Sequence, residues 1–536
     1  MLNRRDFLHA GSLCAASFVM GCRQPQFRSF SGKNPPNIIF IMADDHAAQA
    51  MSCYGSRINT TPNIDRIANE GMKFQNCFCT NSICAPSRAV ILTGKYSHIN
   101  GKIDNISTFD GGQQTYPKLL QKAGYETAMI GKWHLGSKPT GFDHWEILPG
   151  QGSYYNPVFF QMDGSRKSYK GYSTDLIADF SIDWLEHRSD KTKPFLLISQ
   201  HKAPHRCWSP PPRYFGKYKE GTIPEPATLF ADHSSRSEAS SQSEMSIKKH
   251  FSWSHDMKFK GENLFPEHFT DDLQHTEYDR MTPKEKKQWD DWYEPRNQEF
   301  IAQMKAGKLS EVDIVRWKYQ RYMHDYLGSI AALDENIGRM LNYLDEKGLS
   351  ENTIVVYTSD QGFYLGDHGW YDKRFMYEES LRMPLLVRWP KKIKARTVSQ
   401  DIVLNLDFAS TFLNAANTAI PNDIQGESIM PILQGHHPSD WRNAMYYHFY
   451  EFPAIHQVKR HYGIRTDRYK LIHFYYDIDA WELYDLNTDP EELKNLYDDP
   501  KYFVIVKKLK KELELLRKQY GDSDELNQKF LSKKHN

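Results

Sequence analysis

Net charge is almost missing from this chain. Lys and Arg number 68 against 67 Asp and Glu, a formal +1. That leaves no basic field to hold a nucleic-acid backbone. Cysteine is scarce, with seven in 536 residues, and no spacing among them resembles a zinc site. Internal repeats are lacking. So are hydrophobic runs long enough to span a bilayer, since the apolar stretch from Ala10 to Met20 is too short. The remaining composition is that of a soluble globular protein, 40% hydrophobic and 25% charged. The length admits about two to four domain-sized units. Aromatic residues are plentiful at 13%, including 12 Trp and 31 Tyr. They suit stacking on sugar rings, and a large core accounts for them equally well.

The N-terminus reads as an address. Arg4-Arg5-Asp6-Phe7-Leu8 is a twin-arginine pattern, which marks bacterial export of a folded chain. Val19-Met20-Gly21-Cys22 resembles a lipobox, in which the Cys is lipidated. We expect export to the periplasm or cell envelope with a lipid anchor on Cys22. A soluble exported protein cut nearby is the alternative. Setting aside Cys14 and Cys22 leaves five cysteines: Cys53, Cys77, Cys79, Cys84 and Cys207. An odd number in an exported protein suggests one thiol with a separate fate.

Four apolar runs read as buried strands, and each ends in chemistry. Asn37 to Met42 runs into Ala43-Asp44-Asp45-His46. Two adjacent carboxylates at the carboxyl end of a buried strand are costly unless a cation holds them, and open α/β sheets bind ligands at that end. Either the pair is solvated or it serves a hard divalent cation. Glu126 to Ile130 leads into Gly131-Lys132-Trp133-His134. In an extended segment Lys132 and His134 face the same way. Pro194 to Ser199 leads to Gln200-His201-Lys202-Ala203-Pro204-His205, and Thr353 to Thr358 ends in Ser359-Asp360-Gln361-Gly362. A long helix is expected over 314–347, closed by Gly348. Between 216 and about 295 the sequence is polar and irregular. It reads as an insertion with scattered short helices near the site mouth rather than as core. Beyond Ala444, short aromatic strands joined by turns read as an antiparallel sheet, followed by a helix over 500–519 and a charged tail.

Cys84-Ala85-Pro86-Ser87-Arg88 is the stretch the others surround. Pro86 fits the first turn of a helix and Gly94 its close. Cys84 would then sit at the helix start, beside free backbone N–H groups, with Arg88 one turn on along the same face. Alone, these residues serve equally as a small buried Cys in a helix cap.

Asp44-Asp45, Cys84-Ala85-Pro86-Ser87-Arg88, Gly131-Lys132-Trp133-His134, Pro204-His205, Asp360-Gln361 and Lys373 occur in the order seen in type I sulfatases, and the chain resembles that family over nearly its whole length. The resemblance implies an α/β fold of the alkaline-phosphatase type: a large mixed sheet between helices, then a smaller C-terminal antiparallel sheet subdomain. It divides the chain into a signal and linker (1–33), a catalytic domain (34–440, with a polar insertion at 216–312) and a C-terminal subdomain with a charged tail (441–536). It also implies that Cys84 is oxidised to formylglycine by a separate maturase, and that the hydrated gem-diol is the nucleophile. Asp44, Asp45, Asp360 and Gln361 match the family's ligands for one calcium ion, joined by residue 84. Many relatives carry Asn where this chain has Gln361, which keeps the amide oxygen. By the same resemblance Arg88 holds the diol, Lys132 neutralises a sulfate oxygen and His134 takes the proton that regenerates the aldehyde. His205 and Lys373 bind sulfate, with His205 protonating the leaving alcohol and His201 competing for that role.

The surroundings of Lys373 and the run His456 to Gly463 resemble bacterial polysaccharide sulfatases. Arg374, Arg460 and His461 are the expected contacts to an anionic, sulfated glycan, unless they only pair with acids of the chain. The competing activity is a phosphomonoester or phosphonate hydrolase of the same fold. A silent glycan-binding relative would have lost a catalytic position, and none is lost.

Overall fold

The computed structural model describes residues 35–219, 221–260 and 276–533. The twin-arginine pattern, the lipobox and Cys22 lie outside the described residues, as do parts of the insertion and the end of the tail. Among the described residues no helix is long and apolar enough to cross a membrane.

The main sheet has ten strands. In chain order these are β1 (Asn37–Ala43), β2 (Met72–Phe74), β3 (Glu126–Lys132), β4 (His144–Leu148), β5 (Val158–Gln161), β6 (Arg166–Ser168), β7 (Phe195–Gln200), β8 (Thr353–Ser359), β9 (Leu385–Arg388) and β10 (Thr397–Ser399). Their spatial order is β10-β2-β9-β8-β1-β7-β3-β4-β5-β6. The five central strands, β8-β1-β7-β3-β4, are parallel. The antiparallel pairs lie to either side, β8-β9-β2 on one flank and β4-β5-β6 on the other. Every residue of β1, β3, β7 and β8 is buried. That is why these strands are continuous apolar runs: helices cover both faces of a parallel sheet. The carboxyl ends of β8, β1, β7 and β3 therefore line up along one edge, and all four sequence motifs fall there.

Helix α1 (Cys84–Thr93) has all ten residues buried. Gly94 closes it with φ +63°, the left-handed region that favours glycine. Helices α2 (Ser173–His187) and α4 (Glu311–Glu346) cover one face of the sheet, packing Ile177, Ile337 and Leu341 against Ile39 and Ile41.

The insertion departs from expectation. It contains α3 (Pro283–Lys305), a 23-residue helix opened by a capping box between Thr282 and Glu285. Pro295 inside it and its weak apolar stripe conceal it in the sequence. The insertion is also core: Phe251, Trp253, Phe259 and Phe300 are buried in one cluster with Tyr322 and Tyr326 of α4.

The C-terminal sheet is a meander of β11 (Ala444–Phe449), β12 (His461–Thr466), β13 (Tyr469–Phe474) and β14 (Ala480–Asp485), antiparallel throughout. It carries α5 (Phe503–Gln519), which buries Leu509 and Leu513. Part of the expected tail is a further helix, Asp524–Lys533.

Candidate active site

Asp44 and Asp45 follow β1, and Asp360 and Gln361 follow β8. These strands pair residue for residue up to Ala43 and Ser359. All four side chains are fully buried. Carboxylate oxygens of Asp44, Asp45 and Asp360 lie within 4.8 Å of one another. Cys84, at the start of α1, points its Sγ at Asp44 Oδ1, 3.5 Å away.

Three cations oppose the three carboxylates. Arg88 Nη2 meets Asp44 Oδ2 and Asp360 Oδ2, each at 3.0 Å, and its Nε donates to Asp360 Oδ2 at 3.1 Å. Its Nη1 donates to Lys132 O at 2.6 Å and Gln200 Oε1 at 2.8 Å, so the whole guanidinium fork is engaged. Lys132 Nζ contacts Asp44 Oδ2 and donates to Gln151 Oε1. Lys373 Nζ bridges both oxygens of Asp45, at 2.6 and 2.8 Å. His205 Nε2 stands 3.7 Å from Asp45 Oδ2.

The field inside this cluster is uneven. Burial pushes Asp45 up to about 8 against the pull of the Lys373 ammonium, and the charges of Asp44 and Asp360 add to the rise. Burial acts on Asp44 too, but Lys132, His205 and Arg88 together hold it well below the usual carboxylate range. Burial and the neighbouring Lys132 ammonium hold both His134 and His205 well below the ordinary imidazole value. Burial raises the Cys84 thiol well above its usual range, with Asp44 adding to the effect.

The donor set fits a hard divalent cation. Three carboxylates converge, and Gln361 Oε1 is buried without a hydrogen-bond partner while its amide nitrogen donates to Asp45. An amide oxygen left over beside converging carboxylates is the ligand chemistry of calcium.

Some expectations shift. Lys132 and His134 do not share a face through strand alternation. The strand ends at Lys132, and His134 has φ +56°. A left-handed residue breaks the two-residue period, so the turn and not the pleat aims His134. His201 is fully buried with neither ring nitrogen bonded, whereas His205 reaches Asp45. The expected glycan contacts each have partners within the chain. Arg460 is buried and spent on Asp477, Tyr450 O and Phe452 O. His461 is fully buried among Tyr447, Phe449 and Phe474, its Nδ1 bonded to Lys459 O. Its Nε2 has no hydrogen-bond partner among the described residues. Arg374 adjoins Lys373, but its fork pairs with Asp372 at 3.0 Å and Glu451 at 2.9 Å.

Four contributors carry no motif: Gln200 under Arg88, Gln151 on Lys132, and the relay of Asn105 and Glu451. Asn105 Oδ1 accepts the Ala85 N–H at 3.1 Å, and its own N–H donates to Glu451 Oε2 at 2.6 Å. Single polar residues give no spacing to read.

The chain matches the Sulfatase family model over residues 36–418 and the model "N-sulphoglucosamine sulphohydrolase, C-terminal" over 366–519. It is 52% identical to an N-acetylglucosamine-6-O-sulfatase of Bacteroides thetaiotaomicron over 515 residues, covering 95% of this chain and 90% of that one. It is 24% identical to an ulvan-active sulfatase of Formosa agariphila, covering 93% and 84%. A solved complex of a protein with its substrate D-glucosamine-2-N,6-O-disulfate superposes with a TM-score of 0.87 at 53% identity, over 92% of this chain and 99% of that one. The fold alone is shared with a phosphonate monoester hydrolase of Agrobacterium radiobacter, at TM-score 0.65 and 20% identity, covering 90% and 96%. With motifs, fold and family models in agreement along one stretch of chain, this protein belongs to the sulfatase family and is a sulfuric ester hydrolase.

Proposed function

We propose that the chain removes the 6-O-sulfate from glucosamine or N-acetylglucosamine units of a sulfated glycan. The observation that carries this is the 52% identity, along 95% of the chain, to an enzyme with that specificity, together with a site that keeps every residue the chemistry requires. Oxidised to formylglycine, residue 84 supplies a hydrated aldehyde as nucleophile, and a calcium ion held by Asp44, Asp45, Asp360 and Gln361 supplies positive charge against the sulfate oxygens.

The chain's own residues do the rest. Arg88 binds Asp44 and Asp360 at once, which fixes the carboxylates and the first turn of α1 as one unit. Lys132 pairs with Asp44 and Lys373 with Asp45, which brings two ammonium groups to the sulfate position. Asn105 takes up the Ala85 N–H and so orients the helix start that carries residue 84. His205 Nδ1 donates to Arg206 O at 2.5 Å, so Nε2, on the Asp45 side, is the free acceptor of the neutral ring; it protonates the departing sugar oxygen from the imidazolium form, whose second proton comes from solvent. His134, aimed by its turn, takes the proton whose loss releases sulfate.

The twin-arginine pattern and lipobox support export with a lipid anchor on Cys22. Such a route requires a maturase to act on Cys84 before folding buries it, ahead of the translocase. The activity test is release of free sulfate from N-acetylglucosamine-6-O-sulfate beside the matched 6-phosphate. Sulfate release alone is expected. A faster reaction with the phosphate ester would assign the chain to the phosphoesterase branch instead.

A further inference from the structure

His205 sits on a loop that the sheet does not hold. β7 ends at Gln200, and the Asp44 N–H reaches only as far as Ala203 O, at 3.2 Å. Beyond Pro204, three successive carbonyls are each taken up by side chains. Tyr154 OH donates to His205 O at 2.7 Å. His205 Nδ1 and Lys202 Nζ donate to Arg206 O at 2.5 and 3.2 Å. Lys258 Nζ donates to Cys207 O at 3.2 Å. The orientation of the His205 ring therefore depends on where the Arg206 peptide stands.

Two carboxylates of the insertion fix that peptide. Asp256 is fully buried and grips the Arg206 guanidinium bidentately, Nε to Oδ1 at 2.7 Å and Nη2 to Oδ2 at 2.6 Å. The Ser252 N–H, donating to Asp256 Oδ2 at 2.8 Å, holds the carboxylate in its own turn. Glu277, in the short helix Thr276–Arg280, accepts the Tyr154 N–H at 2.9 Å and the Tyr155 N–H at 3.0 Å. It thereby anchors the fully buried tyrosine whose hydroxyl meets His205 O. A proton donor on a loop is productive only when its ring is held to within a fraction of an ångström, and packed partners with their own hydrogen bonds supply that restraint.

We propose that Asp256, through Arg206, and Glu277, through Tyr154, are positioning residues for His205, so that the polar insertion sets the ring that protonates the departing sugar oxygen. This inference rests on the role given to His205 above, which it deepens. Neutralising Asp256 leaves the Arg206 cation without its partner, and the peptide that orients the imidazole moves with it.

The test is a double-mutant cycle with N-acetylglucosamine-6-O-sulfate. Asp256→Asn keeps the shape of the side chain and removes its charge. It should lower kcat about thirtyfold, the scale of one charge-assisted hydrogen bond, with KM within twofold, and Asp256→Glu should recover part of the loss. His205→Ala should lower kcat about a hundredfold or more. Adding Asp256→Asn to His205→Ala should then change kcat less than twofold, because the group being positioned is gone. A merely structural role lowers kcat by the same factor in both backgrounds; that result, or an unaltered kcat in Asp256→Asn, overturns the inference. If Asp256→Asn fails to fold, Tyr154→Phe, which removes one hydroxyl, goes through the same cycle with about a tenfold loss expected and the same results overturning. If the wild-type protein releases no sulfate, or His205→Ala leaves kcat unaltered, the reading of the reaction has failed by itself. NMR of the chain with isotope-labelled histidine then decides the positioning separately. The Nδ1–H resonance that disappears in His205→Ala should shift in Asp256→Asn, and an unshifted resonance overturns the inference.

Discussion

Arg88 offers the sharpest test of how the site is held. Its guanidinium is 1% exposed and donates to four acceptors: Asp44, Asp360, Lys132 O and Gln200. Arg88→Ala removes the cation shared by two buried carboxylates. Asp44 keeps Lys132, but among the described residues the Asp360 carboxylate keeps only the Asp45 N–H, at 3.2 Å, as a hydrogen-bond donor. Breaking a buried ion pair from one side costs about 3–5 kcal/mol, because the remaining charge is uncompensated. Lys132 O and Gln200 Oε1 lose their donor as well, which places the loss toward the upper part of that range. Arg88→Lys returns the charge without the fork, so it should recover only part of the loss. The assay is urea denaturation followed by Trp fluorescence, in EDTA so that no bound metal contributes. An Arg88→Ala midpoint equivalent to less than about 1 kcal/mol from wild type would show that Arg88 is not what balances the cluster, and would refute the reasoning.

Asn105→Ala removes the acceptor of the Ala85 N–H and should lower kcat about tenfold, the cost of one hydrogen bond, with KM little changed; an unaltered kcat rules out the relay through Glu451. Gly131→Ala should yield no stable protein, since φ is +104° and the new Cβ would lie 1.9 Å from Gln200 O; soluble, active variant would contradict the strand packing. Glu492 shares Lys470 with Glu378, at 2.7 and 3.0 Å, and burial lifts it from the ordinary 4.5 to about 7. Between those values the folded chain holds a proton that the unfolded chain has released, so this group's stabilisation is complete below pH 4.5 and fades as pH rises toward 7. Glu492→Gln should flatten the fall in denaturation midpoint over that window, and an equal slope in both proteins would count against it.

The central strands and the site at their carboxyl ends were legible because one physical demand produced both. A strand covered on both faces must be apolar throughout, so a carboxylate or Lys just past its end stands out. Helix α1 was readable from Pro86 and Gly94 for similar reasons. What escaped was set by tertiary partners. Arg460 and His461 read as a basic cluster in sequence, and their partners, Asp477 and an aromatic layer, are visible only in the fold. The turn at His134 rests on a left-handed residue without a glycine to announce it. Helix α3 hid behind Pro295, and it is held by a capping box and by the buried face of Trp289, Tyr293 and Phe300. Gln151, Gln200 and Asn105 act through single contacts whose partners lie 19, 112 and 20 residues away.

The pairing of β1 with β8 has one more consequence. Asp44–Asp45 and Asp360–Gln361 are consecutive with the innermost hydrogen-bonded ladder of the sheet. The spacing of the acidic residues is therefore the spacing of two neighbouring core strands. Such ladders open only with the global transition, unlike loops, which open locally at small cost. Thermal inactivation should then coincide with cooperative unfolding of the sheet instead of preceding it. Amides at Asp45 and Asp360 should exchange with deuterium as slowly as those of Phe40 and Val356. A protein built this way can vary its loops and its sugar preference freely while its reactive centre ages at the rate of its core.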